Sequence, residues 1–211
     1  MSSKRRRNMR CDKQEAANKG IELFWKGEYR SALGYLMQGA KKNKPICQNL
    51  LGYCLQQGHG IRRNARLSRK WYSLAAEAGN ADALYNLALS YEQGIGGKRD
   101  LDKARRYYEK AARAGVIEAQ CNLGTLYLDR GCGSQDIAKG LLWLRTAAKS
   151  GDIKAQYNLG CAYMSYVDGN GACRWGRYWL RKAAKQGHKG AIKRLRGGGG
   201  NSPYSINEVT R

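Results

Sequence analysis

Glycines that lie three residues after an Ala-Ala pair recur every 36 residues, at Gly79, Gly115, Gly151 and Gly187. Aromatic residues keep the same interval, at Trp71, Tyr107, Trp143 and Trp179. Leucines keep it too, at Leu51, Leu87, Leu123, Leu159 and Leu195. A fixed period of this length is typical of solenoids, in which each repeat contacts chiefly its neighbours. Solenoids act mainly by presenting long surfaces, so the period predicts a stacked repeat protein that is not an enzyme.

One model repeat, residues 80–115, shows that the repeated unit is a pair of helices. Apolar residues recur at helical spacing over residues 82–93, which we name helix A, and again over about 100–114, which we name helix B. A glycine-rich loop at 94–97 separates the two helices. The sequence therefore predicts an all-α fold of about eleven helices with no sheet. We expect Trp143 and Trp179 to lie between the helix layers.

The period divides the chain into consecutive segments. We expect a basic, disordered arm at 1–11 and a first helical pair at 12–43. The four full repeats are predicted at 44–79, 80–115, 116–151 and 152–187. A single helix at 188–196 then caps the array, and a flexible, glycine-rich tail covers 197–211.

Several of these segments carry a combination of residues that resembles one known family. The strings are ADALYNLALSY at 81–91, AQCNLG at 119–124 and AQYNLG at 155–160, each followed by a loop and an aromatic-…-Ala-Ala-x-x-Gly segment. This pattern resembles the Sel1-like repeat over residues 44–196, while the first pair looks like a tetratricopeptide repeat. The sequence departs from the pattern at Leu50, Arg130, Tyr166 and Trp175. The resemblance implies a right-handed α-solenoid that acts as a scaffold or adaptor for other proteins, without catalytic residues.

Composition favours an intracellular protein without a cofactor. No apolar stretch approaches the roughly 20 residues of a membrane span, and the basic start lacks the apolar segment of a signal peptide. We therefore expect a cytoplasmic location and free thiols at the seven scattered cysteines. The two histidines, His59 and His188, form no metal-binding pattern with the cysteines. We expect no metal and no cofactor.

Positive charge is concentrated on one predicted face of the B helices. The chain has 39 Lys and Arg against 16 Asp and Glu, a net charge of +23. Three columns form what we name the basic ridge: Arg69, Arg105 and Arg177; Arg145 and Arg181; Arg113, Lys149 and Lys185. In tetratricopeptide-like stacks helix B forms the convex side. The ridge either keeps the protein soluble or attracts nucleic acid, anionic lipid or an acidic protein. We expect no aromatic platform of the RNA-binding type beside it.

The predicted open face of the A helices is polar and nearly neutral. It carries an asparagine column, Asn86, Asn122 and Asn158, flanked by Tyr85 and Tyr157. Asparagine amides both donate and accept hydrogen bonds, so this column can either hold an extended peptide or bridge neighbouring helices. The leading hypothesis is that an unidentified partner protein binds this concave strip. The alternative is a nucleic-acid-associated or other polyanion-binding protein that uses the basic ridge and the N-terminal arm.

Overall fold

The computed structural model describes residues 15–129, 136–167 and 169–196. The predicted arm at 1–11, the tail at 197–211 and Arg130 lie outside these residues. Helix α1 covers residues 15–25. The later helices are α2 (Tyr29–Lys41), α3 (Pro45–Gln57), α4 (Ala65–Glu77), α5 (Ala81–Gln93), α6 (Leu101–Arg113), α7 (Ile117–Leu128), α8 (Ile137–Lys149), α9 (Ile153–Tyr166), α10 (Asn170–Lys185) and α11 (Lys189–Arg196).

These eleven helices account for all the regular structure in the described part of the chain, where no strand occurs. The predicted fold class, an all-α array of stacked antiparallel helix pairs, is confirmed. Each predicted repeat range contains one A helix (α3, α5, α7 or α9) and one B helix (α4, α6, α8 or α10). The exact domain boundaries stay a prediction. None of the described helices is long and apolar enough to cross a membrane.

The described residues form two compact units, which divide between Lys110 and Ala111. In the first unit α2 packs against α3, α3 against α4, and α4 against α5. In the second unit α7, α8, α9, α10 and α11 pack in chain order, and the A helices α7 and α9 also contact each other. Each unit is thus built from helices that are neighbours in the sequence.

The repeated glycines end the B helices because they adopt a left-handed backbone conformation. Their φ angles are 81°, 92°, 95° and 85° at Gly79, Gly115, Gly151 and Gly187. A residue with a Cβ adopts this conformation rarely, so glycine is strongly favoured just after a helix. The 36-residue column of glycines therefore marks the turn from each B helix into the next A helix.

Side-chain caps begin many of the helices and follow the same period. Three of them start B helices, where a side-chain oxygen accepts the backbone N–H three residues later at 2.9–3.0 Å: Asn64, Asp100 and Asp136. Asn80 and Asp152 start A helices in the same way at 2.8 and 2.5 Å, and the Nδ1 of His188 accepts the equivalent N–H of α11 at 3.2 Å. Each cap satisfies a backbone donor that has no partner within its helix.

Small residues allow the two helices of a repeat to pack closely. A Cβ placed on Gly124 of α7 would lie 2.9 Å from the Leu144 backbone nitrogen and 3.0 Å from the Gly140 carbonyl oxygen of α8. A Cβ on Gly160 of α9 would similarly lie 3.0 Å from the carbonyl oxygen of Gly176 in α10. These separations are shorter than an ordinary carbon contact of 3.5–4.0 Å. Gly124 and Gly160, which are 36 residues apart, therefore mark the A–B contact in these repeats.

The core position on the B helices lies one residue after the predicted aromatic column. Tyr72, Tyr108 and Leu144 are 0% exposed and Leu180 is 1% exposed. Trp179 is buried, as predicted, but the prediction for Trp143 is wrong because this side chain is partly exposed. One residue turns an α-helix by about 100°, so the column after the aromatic column points more directly into the core, although Trp179 and Leu180 are both buried in the last repeat. In three of the four repeats the residue of the predicted aromatic column is only partly buried and lies at the edge of the contact between helices. These residues are Trp71, Tyr107 and Trp143.

Two leucines of α8 that are two residues apart test this core assignment. Leu144 is completely buried, whereas Leu142 is 60% exposed. We expect Leu144→Ala to lower the free energy of unfolding by about 2–5 kcal/mol, because it leaves a cavity. Leu142→Ala should change it by less than about 0.5 kcal/mol. Urea unfolding followed by circular dichroism measures both, and equal losses would contradict the assignment.

Two helical glycines test the close A–B approach. We expect Gly124→Ala to destabilise the protein by about 1–3 kcal/mol, because its Cβ would press against the backbone of α8. Gly34 in α2 is the matched control, since a Cβ there would have no atom within 4 Å. Gly34→Ala should stabilise the protein by about 0.5–1 kcal/mol through the better helix propensity of alanine. Thermal unfolding of both variants checks the opposite signs, and a neutral Gly124→Ala would refute the close contact.

Candidate functional site

The asparagine column bonds one A helix to the A helix of the preceding repeat. In the first unit the Asn86 Nδ2 donates to the Asn49 Oδ1 at 2.9 Å, joining α5 to α3. In the second unit the Asn158 Nδ2 donates to the Cys121 Sγ at 3.8 Å, joining α9 to α7. Asn158 is only 5% exposed, while Asn86 and Asn122 are partly exposed. For Asn158 this geometry favours the second of the two roles considered above, a bridge between neighbouring helices. Partner contact by the column stays a prediction.

The tyrosines that flank the column are partly exposed and rest on other aromatic rings. The Tyr85 ring centroid lies 5.9 Å from that of Tyr108, and Tyr157 stacks on His188 with centroids 4.3 Å apart. Burial raises the pKa of Tyr157 above its ordinary value, with a smaller contribution from the neighbouring Cys161. Both rings are thus held in place by aromatic neighbours while part of each remains exposed.

Each A helix has one exposed side chain in its first helical turn, and we name these four residues the A-helix column. In the first unit this column has Ile46, which is 51% exposed, and Asp82. In the second unit it has Glu118 and Lys154, both exposed. The four positions keep the 36-residue interval of the repeat, but Ile46 was not singled out in the sequence analysis. The column therefore changes from apolar to acidic to basic along the chain.

A column of buried glutamines was missed by the sequence analysis. Gln48, Gln120 and Gln156 each donate the Nε2 hydrogen to an alanine carbonyl eight residues earlier, near the end of a B helix. The distances are 3.2, 3.2 and 3.3 Å. The bonds satisfy carbonyl groups at a helix terminus and fix the turn between repeats. The only sequence signal was the 36-residue spacing of Gln120 and Gln156 within the family motif.

The structure divides the residues of the basic ridge into two groups. The guanidinium carbon of Arg69 lies 3.6 Å from the Tyr91 ring centroid, and the side chain also donates to the Lys98 carbonyl at 3.4 Å. Arg105 pairs with Asp102 at 2.9 Å. The other six members are exposed: Arg113, Arg145, Lys149, Arg177, Arg181 and Lys185. The exposed members of the basic ridge therefore all lie in the second unit.

Cysteine and histidine chemistry offers no site in the described residues. The five cysteines there are free thiols, and all but Cys173 are buried. Burial raises the pKa of Cys54 to about 11 and that of Cys121 to about 12, so both thiols stay protonated at neutral pH. No three His, Cys, Asp or Glu residues of the described chain come together as metal ligands.

The helix pairs and their periodic contacts define a helical-repeat protein of the α-solenoid class. The family model of the Sel1 repeat matches residues 45–80, 81–116, 117–152 and 153–188. The chain therefore belongs to the Sel1 repeat family, as the sequence resemblance indicated. Repeats of this family commonly mediate protein–protein interaction and typically form non-catalytic scaffolds.

Solved structures of bacterial repeat proteins are similar to this chain. A Sel1 repeat protein from Oxalobacter formigenes is 30% identical with a TM-score of 0.71, over 86% of this chain and 87% of that one. A protective antigen present in uropathogenic Escherichia coli strains is 29% identical with a TM-score of 0.80. That match covers 90% of this chain but only 42% of the antigen. No match to a curated protein is found.

His188 links the stability of the last helix to pH. Its Nδ1 accepts the Ala191 backbone N–H at 3.2 Å and so caps α11. Burial, and secondarily the charge of Lys154, lower the pKa of His188 below its ordinary 6.5. The unfolded chain therefore binds more protons below about pH 6.5, so stability is lost as pH falls through the folded-state pKa.

We expect His188→Asn to weaken this pH dependence, because asparagine retains a capping oxygen and does not titrate. Urea unfolding at about pH 7.5 and about pH 5 compares the variant with the parent protein. The parent should lose more stability than the variant over this interval. The same loss in both proteins would show that the His188 cap does not carry the effect.

Proposed function

We propose that this chain is a non-catalytic scaffold that binds a partner protein through the exposed side of its A helices. The observation that carries the proposal is the packing of α7 beside α9, which places Glu118 and Lys154 in equivalent exposed positions. A partner can thus contact the same helical position in successive repeats. Family membership supports this use of the fold. On the sequence grounds given above, we also propose a cytoplasmic location.

The A helices are well ordered for recognition because several amide N–H groups on their inner side are already bonded. The Asn158 amide joins α9 to α7, and the buried Gln120 and Gln156 fix the ends of the preceding B helices. A surface that is rigid before binding loses less conformational entropy when the partner docks. The exposed side chains can then determine which partner binds.

The A-helix column gives a chemical basis for partner selection. Glu118 and Lys154 present opposite charges within the second unit, so a matching segment has a basic and an acidic residue in complementary order. The partly exposed Asn122 and Tyr157 lie on the same two helices and can add a hydrogen bond and apolar contact area. In the first unit, Asn86 and Tyr85 accompany Asp82 on α5 in the same way.

Charge reversal at two matched carboxylates tests the surface. Glu118 and Asp102 are both exposed and lie in the first turn of an A helix and a B helix, respectively. We expect Glu118→Lys to weaken partner binding about tenfold, because it places like charges in contact. Asp102→Lys should leave binding unchanged, although both variants lose a comparable helix-dipole interaction.

The partner is first identified by photo-crosslinking in the cells that make the protein, with a crosslinking amino acid at position 118 or at the exposed B-helix position 142. Its affinity for the purified variants is then measured by calorimetry. A dominant crosslinked protein at 118 but not at 142 is the expected result. Two results would refute the proposal that the partner binds the exposed side of the A helices. One is crosslinking of the same protein only from position 142, and the other is equal binding of the partner by both charge variants.

A further inference from the structure

Helix α10 differs from the other B helices of the family repeats. It has 16 residues, whereas α4, α6 and α8 each have 13. Those three begin after a capping Asn or Asp, but the equivalent position in the last repeat is Ala172, inside the helix. The helix instead starts after Gly169, which makes no side-chain cap. The extra turn lies next to an unusual set of side chains.

Six exposed residues share one side of α10, at spacings of three, four and seven residues. We name them the α10 outer face: Arg174, Trp175, Tyr178, Arg181, Lys182 and Lys185. Trp175 is 50% exposed and Tyr178 is 40% exposed. Large aromatic side chains are usually buried, so two exposed rings on one helix are notable. These exposed rings beside the basic ridge were not predicted from the sequence.

The aromatic rings of this face have defined positions. Trp175 and Tyr178 pack edge to face with centroids 5.7 Å apart, and Tyr178 packs in the same way on the buried Trp179 at 5.2 Å. The Lys182 Nζ lies 5.2 Å from the Tyr178 centroid and 5.3 Å from that of Trp179. The Trp175 and Tyr178 rings are thus held in place by neighbouring rings, and the Lys182 ammonium group lies beside them.

The charge around the platform has one sign. Helix α10 contains no acidic residue. From residue 137 to residue 196 the sequence has thirteen Lys and Arg but only two acidic residues, Asp152 and Asp168. Asp152 is occupied as the cap of α9. Arg145 and Lys149 on α8 and Arg177, Arg181 and Lys185 on α10 therefore meet no carboxylate on their own helix. The α10 outer face attracts anions.

We propose that the α10 outer face binds single-stranded nucleic acid. The exposed Trp175 and Tyr178 can stack on unpaired bases, and Arg174, Arg181 and Lys185 can contact the phosphates on either side. An acidic protein would use the cations but gain less from the rings. A membrane would require aliphatic side chains to insert. The members of the α10 outer face other than the two rings are all cationic. The site uses no residue of the A-helix surface, so it is independent of the proposed function.

Fluorescence anisotropy with a labelled oligothymidylate of about 12 nucleotides measures the binding by the full chain. We expect affinity to fall steeply as salt rises from about 0.05 to about 0.2 M. Trp175→Ala should weaken binding about tenfold through the loss of one stacked base, and Trp175→Phe should restore most of it. The double variant Arg181→Gln, Lys185→Gln should reduce the slope of log affinity against log salt by about 1.4, for two lost phosphate contacts.

Trp25 provides the matched control, because it is 75% exposed but lies on α1 in the first unit. We expect Trp25→Ala to bind the oligonucleotide as the parent does, and circular dichroism verifies that each variant is folded. Parent-like affinity of Trp175→Ala would overturn the proposal, because binding would then be purely electrostatic. Polyglutamate or phosphatidylserine vesicles that bind as tightly, with the same loss in Trp175→Ala, would assign the face to an acidic protein or a membrane instead.

Discussion

The close approach of an A helix to its own B helix is the contact on which the rest of each repeat depends. Gly124 and Gly140 in one repeat, and Gly160 and Gly176 in the next, leave no room for a Cβ between the backbones. Dispersion energy falls rapidly with distance, so such proximity gives each helix many favourable contacts. In the first unit Ser68 replaces glycine and donates its hydroxyl to the Gly52 carbonyl at 2.7 Å. The contact column thus accepts a small polar residue when it makes a hydrogen bond.

This geometry determines which side chains are left for recognition. Once the helices of a repeat are in contact, buried Gln and Asn amides join neighbouring repeats, as Gln156 and Asn158 do. Those amides are required for packing and are poorly placed to meet a partner. Recognition falls to side chains outside the contacts, namely the A-helix column and, in the last repeat, the α10 outer face. The two surfaces differ in chemistry, since one has mixed charge and the other is cationic and aromatic.

The sequence predicted the helix pairs and their turns because both depend on local and periodic features. Gly115 and its equivalents require a conformation that glycine favours, and the 36-residue interval reveals them directly. The sequence prediction put the core column of the B helices one residue too early. Trp143 and Leu144 are adjacent and both apolar, so periodicity alone does not show which of them faces inward. The burial of Asn158 could not be predicted, since it depends on Cys121 in another helix. Exposure of Trp175 was equally hidden, because an aromatic residue on a helix is normally expected in the core.

A double-mutant cycle between Gly140 and Leu128 tests the central A–B contact most directly. A Cβ on Gly140 of α8 would lie 2.6 Å from the Leu128 Cγ of α7. Gly140→Ala and Leu128→Ala should each destabilise the protein, by overpacking and by a cavity respectively. In the double variant the new methyl group occupies part of that cavity. Urea unfolding should therefore give a combined loss at least about 1 kcal/mol smaller than the sum of the single losses. Additivity within about 0.5 kcal/mol would show that the two helices do not meet at these residues.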